Sequence, residues 1–260
     1  MRRYFSALLL ILLWSSTVMA DENNTGRLSG AWIPRKYGPI SGGLIYAFDT
    51  NAGPPPLRDR ARRVPDAVVM TNEKGKFTLQ LPEGTYYLST LKKFGSAAPG
   101  PPQDGDLHAL SRDEKGKPVI YKVKRGKTNN IGILRQATVF KSPVQIISAD
   151  TTAITGTLTA SDGSPLADAV VQVYTDEEVK GKPAYVSQKT GKDGKYIVQV
   201  DKEGTYYLAI RAKYGGGRPQ EGDTLGVYGG ESAQPVTVKI HSVTAGIDIR
   251  AGQFADKRPK

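Results

Sequence analysis

The hexapeptide Glu83-Gly84-Thr85-Tyr86-Tyr87-Leu88 returns unchanged as Glu203-Gly204-Thr205-Tyr206-Tyr207-Leu208, 120 residues further on. Self-similarity at a fixed spacing constrains a chain before any single element is assigned, because each copy must fold as the same kind of unit. The match continues on both sides. Upstream, Glu73-Lys74-Gly75-Lys76-Phe77 parallels Lys192-Asp193-Gly194-Lys195-Tyr196, and downstream Lys93-Phe94-Gly95 parallels Lys213-Tyr214-Gly215. Pro102-Gln103-Asp104-Gly105-Asp106 then returns as Pro219-Gln220-Glu221-Gly222-Asp223. Coincidence supplies one short match, but not several blocks in the same order. The pattern predicts two tandem domains, residues 21–148 and 149–255, with the junction between Lys141 and Asp150 and a basic tail over 256–260. A length of 260 residues accommodates two domains of ~100–150 residues each.

Each unit has the periodicity of strands. Tyr196, Val198 and Val200, then Tyr206, Leu208 and Ile210, alternate with Ile197, Gln199, Tyr207, Ala209 and Arg211, as in a strand with one face buried. Phe77, Leu79 and Leu81 and then Tyr86 and Leu88 repeat this in the first unit. Asp193-Gly194 and Glu203-Gly204 bracket the Tyr196 strand, the kind of turn that closes a hairpin. Further runs at 154–159, 169–174, 184–190, 236–240 and 246–250 bring the second unit to about seven short strands, the count of an antiparallel sandwich. No segment after residue 20 has the pattern of a long amphipathic helix.

The second unit contains Gly163-x-Pro165-Leu166-x-x-Ala169-x-Val171-x-Val173, then Thr190-x-x-Asp193-Gly194-x-Tyr196, then Gly204-x-Tyr206-x-Leu208. By these motifs it resembles the carboxypeptidase regulatory-like domain over Thr152 to Gln253. The resemblance implies a seven-stranded antiparallel β-sandwich of the prealbumin (transthyretin-like) type and a non-catalytic accessory role. It transfers no functional residues. In the first unit Asn72-Glu73-Lys74-Gly75 replaces the Thr-x-x-Asp-Gly turn and a proline- and arginine-rich loop is inserted over 51–65. There the same fold is inferred from the internal repeat. The expected fold class is thus all-β, with two tandem prealbumin-like sandwiches after a cleaved signal peptide.

That signal peptide is expected over residues 1–20. Met1-Arg2-Arg3 is a positive start, Ser6 to Trp14 an apolar run, and Val18-Met19-Ala20 a small-residue cleavage site. The run is shorter than the ~20 residues that span a bilayer. The expected location is periplasmic or extracellular, with no transmembrane segment in the mature chain. Absence of cysteine removes disulfides, thiolate metal sites and cysteine nucleophiles. Without Arg2 and Arg3 the chain keeps 34 basic against 25 acidic residues, a net charge of +9.

Nothing in the residue pattern marks an active site. His108 and His241 lie in different units, so no histidine pair falls within one. Among prealbumin-like enzymes, hydroxyisourate hydrolases close on Tyr-Arg-Gly-Ser, whereas this chain closes on Ala255-Asp256-Lys257-Arg258-Pro259-Lys260. The expectation is no enzyme and no cofactor. The repeated acidic loops hold two carboxylates each, Asp104 with Asp106 and Glu221 with Asp223, and favour a turn over a calcium site. Arg58, Arg60, Arg62 and Arg63 crowd one inserted loop, and Lys122, Lys124, Arg125 and Lys127 a second stretch. The arginine loop is the expected contact for an anionic envelope polymer, an acidic polysaccharide or an acidic protein. Export and the lack of a reader motif argue against nucleic acid. Tyr87, Tyr207 and Tyr228 are the expected surface aromatics, with Trp32 and Tyr37 as further rings that a carbohydrate-binding accessory would use. The leading expectation is an exported, non-enzymatic structural or binding module, and carbohydrate binding is its alternative.

Overall fold

A computed structural model describes residues 24–56, 63–95, 102–141, 147–211 and 221–253. The signal peptide and the basic tail lie outside the described residues. The first unit runs through β1 (Thr25–Trp32), β2 (Leu44–Asp49), β3 (Ala67–Met70), β4 (Lys76–Pro82), β5 (Gly84–Lys92), β6 (Leu107–Leu110), β7 (Ile120–Val123), β8 (Thr128–Leu134) and β9 (Thr138–Val139). The second runs through β10 (Ala153–Thr159), β11 (Val170–Tyr174), β12 (Tyr185–Val186), β13 (Lys195–Gln199), β14 (Gly204–Arg211), β15 (Thr224–Val227), β16 (Val236–Val238), β17 (Val243–Thr244), β18 (Ile249–Arg250) and β19 (Gly252–Gln253).

Alternation becomes burial as expected. In β4, Phe77, Leu79 and Leu81 are buried while Lys76, Thr78 and Gln80 are exposed. The small sheet of the first unit has the order β4-β1-β8, and the small sheet of the second has β13-β10-β17, with β18 extending the β17 position along β10. The large sheets have the orders β3-β2-β5-β6-β9 and β12-β11-β14-β15-β19. β7 extends the β6 position along β5, as β16 extends β15 along β14. Counted by position, each unit is a seven-stranded sandwich with one added short strand, β9 or β19. Strand for strand, the two topologies are the same, so the duplication is a duplication of fold. The pairing is antiparallel except where β8 lies parallel to β1 and where β17 and β18 lie parallel to β10.

The facing sheets of each unit enclose their own core. Leu28, Trp32, Ile45, Phe77, Leu79, Tyr86 and Leu88 belong to the first, and Ile154, Val171, Val173, Tyr196, Val198, Tyr206 and Leu208 to the second. The expected hairpin is corrected here. β4 and β5 lie in different sheets, as do β13 and β14, so the Glu-Gly turns between them carry the chain across the sandwich. The chain must cross because Tyr196 and Tyr206 face each other's sheet and fill one core. The Asp-Gly turn has another task. Gly194 (φ +68°) lies where an added Cβ would come 2.5 Å from the Leu158 carbonyl oxygen, and Gly75 (φ +70°) where it would come 2.6 Å from that of Trp32. Both glycines let a turn press against the end of the central strand of the small sheet.

The repeated tyrosine also has one structural use in both units. The Tyr86 hydroxyl donates to the Pro82 carbonyl at 3.0 Å, and the Tyr206 hydroxyl donates to the Lys202 carbonyl at 2.9 Å. The ring is buried and its polar tip holds the crossing turn, so Tyr serves where Phe would leave a carbonyl without its donor. Among the described residues no helix is long and apolar enough to cross a membrane.

Candidate functional site

Arg63 does not sit on the surface. Its side chain is 5% exposed, and its guanidinium donates to the carbonyls of Gly53 (2.9 Å), Pro54 (2.7 Å) and Asp49 (2.8 Å) while lying 5.7 Å from the Phe48 ring. The expectation of a polyanion contact at Arg63 is therefore corrected: its donors already hold the inserted loop against the large sheet. Arg58, Arg60 and Arg62 lie outside the described residues.

The segment that follows Arg63 joins the two units. Arg63 forms an antiparallel bridge with Tyr185 on the edge strand of the second large sheet, and the Val64 amide donates to the Ala184 carbonyl at 3.4 Å. Asp66 is the polar centre of this seam. One carboxylate oxygen takes the Lys182 ammonium at 2.5 Å, and the other accepts the Asp49 amide at 2.7 Å. Burial raises the Tyr86 hydroxyl to about 12, with the nearby Asp49 and Asp66 carboxylates adding to the shift. Burial also raises Tyr185, with Asp201 adding to it. At the far end of β5, burial lowers Lys93, with Asp106 opposing the shift and Lys189 of the second unit reinforcing it.

The aromatic candidates divide. Trp32 is fully buried and donates its Nε1 proton to the Gln136 carbonyl, so it is a core residue and not a platform. Tyr228 also departs from expectation: it packs against the second core, and its backbone is tied to Leu208 and Gln234. Tyr87 and Tyr207 do lie on the outward register of β5 and β14, and both are half-buried. Tyr37 is exposed, with the Lys36 ammonium 5.6 Å from its ring. These rings do not form one row. His108 packs edge-on to Phe140 and contacts Thr138, whereas His241 sits beside the Asp150 carbonyl in the other unit.

Of the repeated acidic loops, the first is a capped turn. Asp106 is buried, and its carboxylate accepts the Phe94 and Gln103 amides. Gly105 and Gly222 both have positive φ, so the turn geometry is shared. Among the described residues no group of three or more acidic or histidine side chains is placed to hold a metal.

Two surface features remain. The end of β7 and the turn to β8 expose Lys122, Lys124, Arg125 and Lys127, with no acidic residue between them and, among the described residues, no ion pair. Arg27 is exposed beside it, its amide bonded to the Lys127 carbonyl. On the outer face of the first small sheet lies an open groove of about 660 Å³, where Thr78, Ser29 and Asn130 stand in register across three strands. Sequence had marked the basic stretch but ranked the arginine loop above it. The groove left no mark there, because polar side chains on a strand are what any solvated face shows.

No protein-family model matches the chain, and no curated protein matches it either. The resemblance to the carboxypeptidase regulatory-like domain is accordingly one of turn and core residues and is not confirmed. Among solved structures, the chain is similar to the Bacillus anthracis TIE protein (15% identity, 88% of this chain, 34% of that one, TM-score 0.26). It is also similar to GBS52, a minor pilin of Streptococcus agalactiae (17% identity, 90% and 99% coverage, TM-score 0.27), and to the shaft pilin SpaA of Lactobacillus rhamnosus GG (13% identity, 90% and 99% coverage, TM-score 0.23). The chain spans about a third of the TIE protein and 63% of a streptococcal ancillary pilin. Likenesses with TM-scores of 0.27 and below assign no function, so the functional reading rests on the chain's own residues.

Proposed function

We propose that this chain is an exported, non-enzymatic structural or binding module whose contact with an anionic envelope polymer is the β7–β8 turn. The supporting observation is that Lys122 at the end of β7 and Lys124, Arg125 and Lys127 on the turn after it are all exposed without a compensating acid between them. Charges held on a turn anchored at both ends lose less freedom on binding than charges on a chain end. Their attraction for a polyanion acts over about one Debye length, ~10 Å at 0.1 M salt. Serine at all four positions should elute the chain earlier from a polyanion column and leave its unfolding midpoint in urea unchanged. Equal elution of parent and variant would place the contact elsewhere.

Carbohydrate binding is the second reading, and the groove over Ser29, Thr78 and Asn130 is what favours it. Hydroxyl and amide groups in one row are suited to a polyhydroxylated ligand, although Phe77, the aromatic residue that lines the groove, is buried in the core. A titration with neutral oligosaccharides, comparing the parent with Thr78→Val, separates this reading from the polyanion one, because only neutral-sugar binding is indifferent to salt. Export itself is tested by fractionating cells that express the full chain and sequencing the mature N-terminus, expected at Asp21.

A further inference from the structure

The two units differ most where their register is most alike. On the outward side of the large sheets, Tyr46 pairs with Val68 and Ser89 in the first unit, and Gln172 pairs with Val186 and Ala209 in the second. Val68 is therefore the counterpart of Val186. Yet Val68 is 53% exposed and Val186 only 3%. Around Val186 the outward residues Val170, Gln172, Tyr174 and Ala209 are buried as well, although none belongs to the sandwich core. That face is covered by this chain's own polypeptide, and Arg63 and Val64 of the first unit pair with the β12 edge beside it.

The corresponding face of the first unit is apolar and is open at its β3 edge and at β7, while Phe48 and Leu91 on the same outward register are buried. Met70 (61% exposed) and Ile120 (56%) join Val68, and half-buried Leu44, Tyr46, Tyr87 and Leu110 lie among them on adjacent strands. These are cross-strand neighbours: Met70 beside Leu44, Val68 beside Tyr46, and Ile120 beside Tyr87, which in turn lies beside Phe48. At Phe48 the face runs under Arg63 and into the seam. Soluble monomers seldom leave a contiguous apolar face of this kind open. With ~4.8 Å between strands and ~3.4 Å per residue, the strand residues of β3, β2, β5, β6 and β7 give roughly 450 Å² per partner, or about 900 Å² in a pair, the size of a weak, transient contact.

We propose that this face is a self-association surface, on which a second copy of the chain packs its own first sandwich face to face. A second copy is the occupant for two reasons. The same kind of face is already covered by this chain's own residues in the second unit, and the open face is continuous with that seam. The interface is apolar, while the chains are alike in charge, at +9 without residues 1–20. Association therefore tightens as salt screens the repulsion, the opposite of the polyanion contact. The inference goes beyond the module reading, which stands or falls on column retention.

Sedimentation velocity of the exported chain across concentration and salt tests it. The expected result is a monomer–dimer equilibrium with a dissociation constant on the order of 10 μM that tightens at higher salt. Val68→Asp and Ile120→Lys, on different strands, should each weaken it at least tenfold. Lys195→Asp, exposed on the second sandwich, should not. Urea midpoints equal to the parent's show that the variants are folded, and backbone exchange at 68–70 that slows with concentration gives a readout without substitution. A monomer up to about 200 μM overturns the proposal, since it lies far above the expected constant. So does a dimer that persists in both variants, or one that dissociates as salt rises.

Discussion

At the scale of single residues, a side chain's type says less than what its polar atoms meet. Tyr86 and Tyr206 each lend a hydroxyl to a carbonyl four residues back, and Phe at either position removes one bond inside a closely packed turn. Tyr206→Phe should cost ~0.5–1.5 kcal/mol in urea unfolding, and Tyr86→Phe the same. The raised tyrosines also set a pH limit. Tyr86 ionises near the ordinary 10 when unfolded and at about 12 when folded. The unfolded chain thus gives up its proton first, so this contribution is complete below about pH 10 and is lost as pH rises towards 12. Urea midpoints should fall between about pH 10 and 12, and Tyr86→Phe should make the fall shallower. Arg63→Met should destabilise by about 1–3 kcal/mol, because it strips the donor from three carbonyls, and should leave polyanion retention as it was.

At the scale of elements, the repeat predicts paired effects. Leu88 and Leu208 are both fully buried at the same position of β5 and β14, and alanine at either should cost ~2–5 kcal/mol through the cavity it leaves. Half-buried Tyr207, one residue away, faces outward, so Tyr207→Ala should cost well under half as much. Equal losses at 207 and 208 would mean that the register is reversed. Gly75→Ala and Gly194→Ala should also match each other. Each adds ~1–2 kcal/mol of left-handed strain to a Cβ contact with backbone that has no flexible end to yield.

At the scale of the whole molecule, the two cores are separate and the seam between them is polar. We place the domain boundary at residue 148/149, so that residues 149–255 expressed alone should unfold in one cooperative urea transition. A fragment without a transition would show that the second sandwich depends on the first. Lys182→Gln removes an ion pair whose side chains are 44% and 27% exposed, so the intrinsic loss should be no more than ~1 kcal/mol. Its larger effect should be on coupling: calorimetry of the full chain should resolve two transitions further apart than in the parent.

The sequence by itself determined the strands, the two units and the correspondence between them. Period-two alternation and glycine turns are written in neighbouring residues, and a duplicated block marks equivalent positions without any structure. It also contained the inward register of Tyr86, Leu88, Tyr206 and Leu208. It did not show that the Glu-Gly turns cross between sheets, because a turn looks alike whether the next strand pairs with the last or packs over it. Tertiary structure alone decided the fate of Arg63, whose partners are main-chain carbonyls that every residue carries and no side chain advertises. It likewise withdrew Trp32 into the first core, set half-buried Tyr228 against the second and left Val68 open where Val186 is covered. Alternation tells which side of a strand faces out, but whether that side meets water depends on which distant part of the chain arrives to cover it.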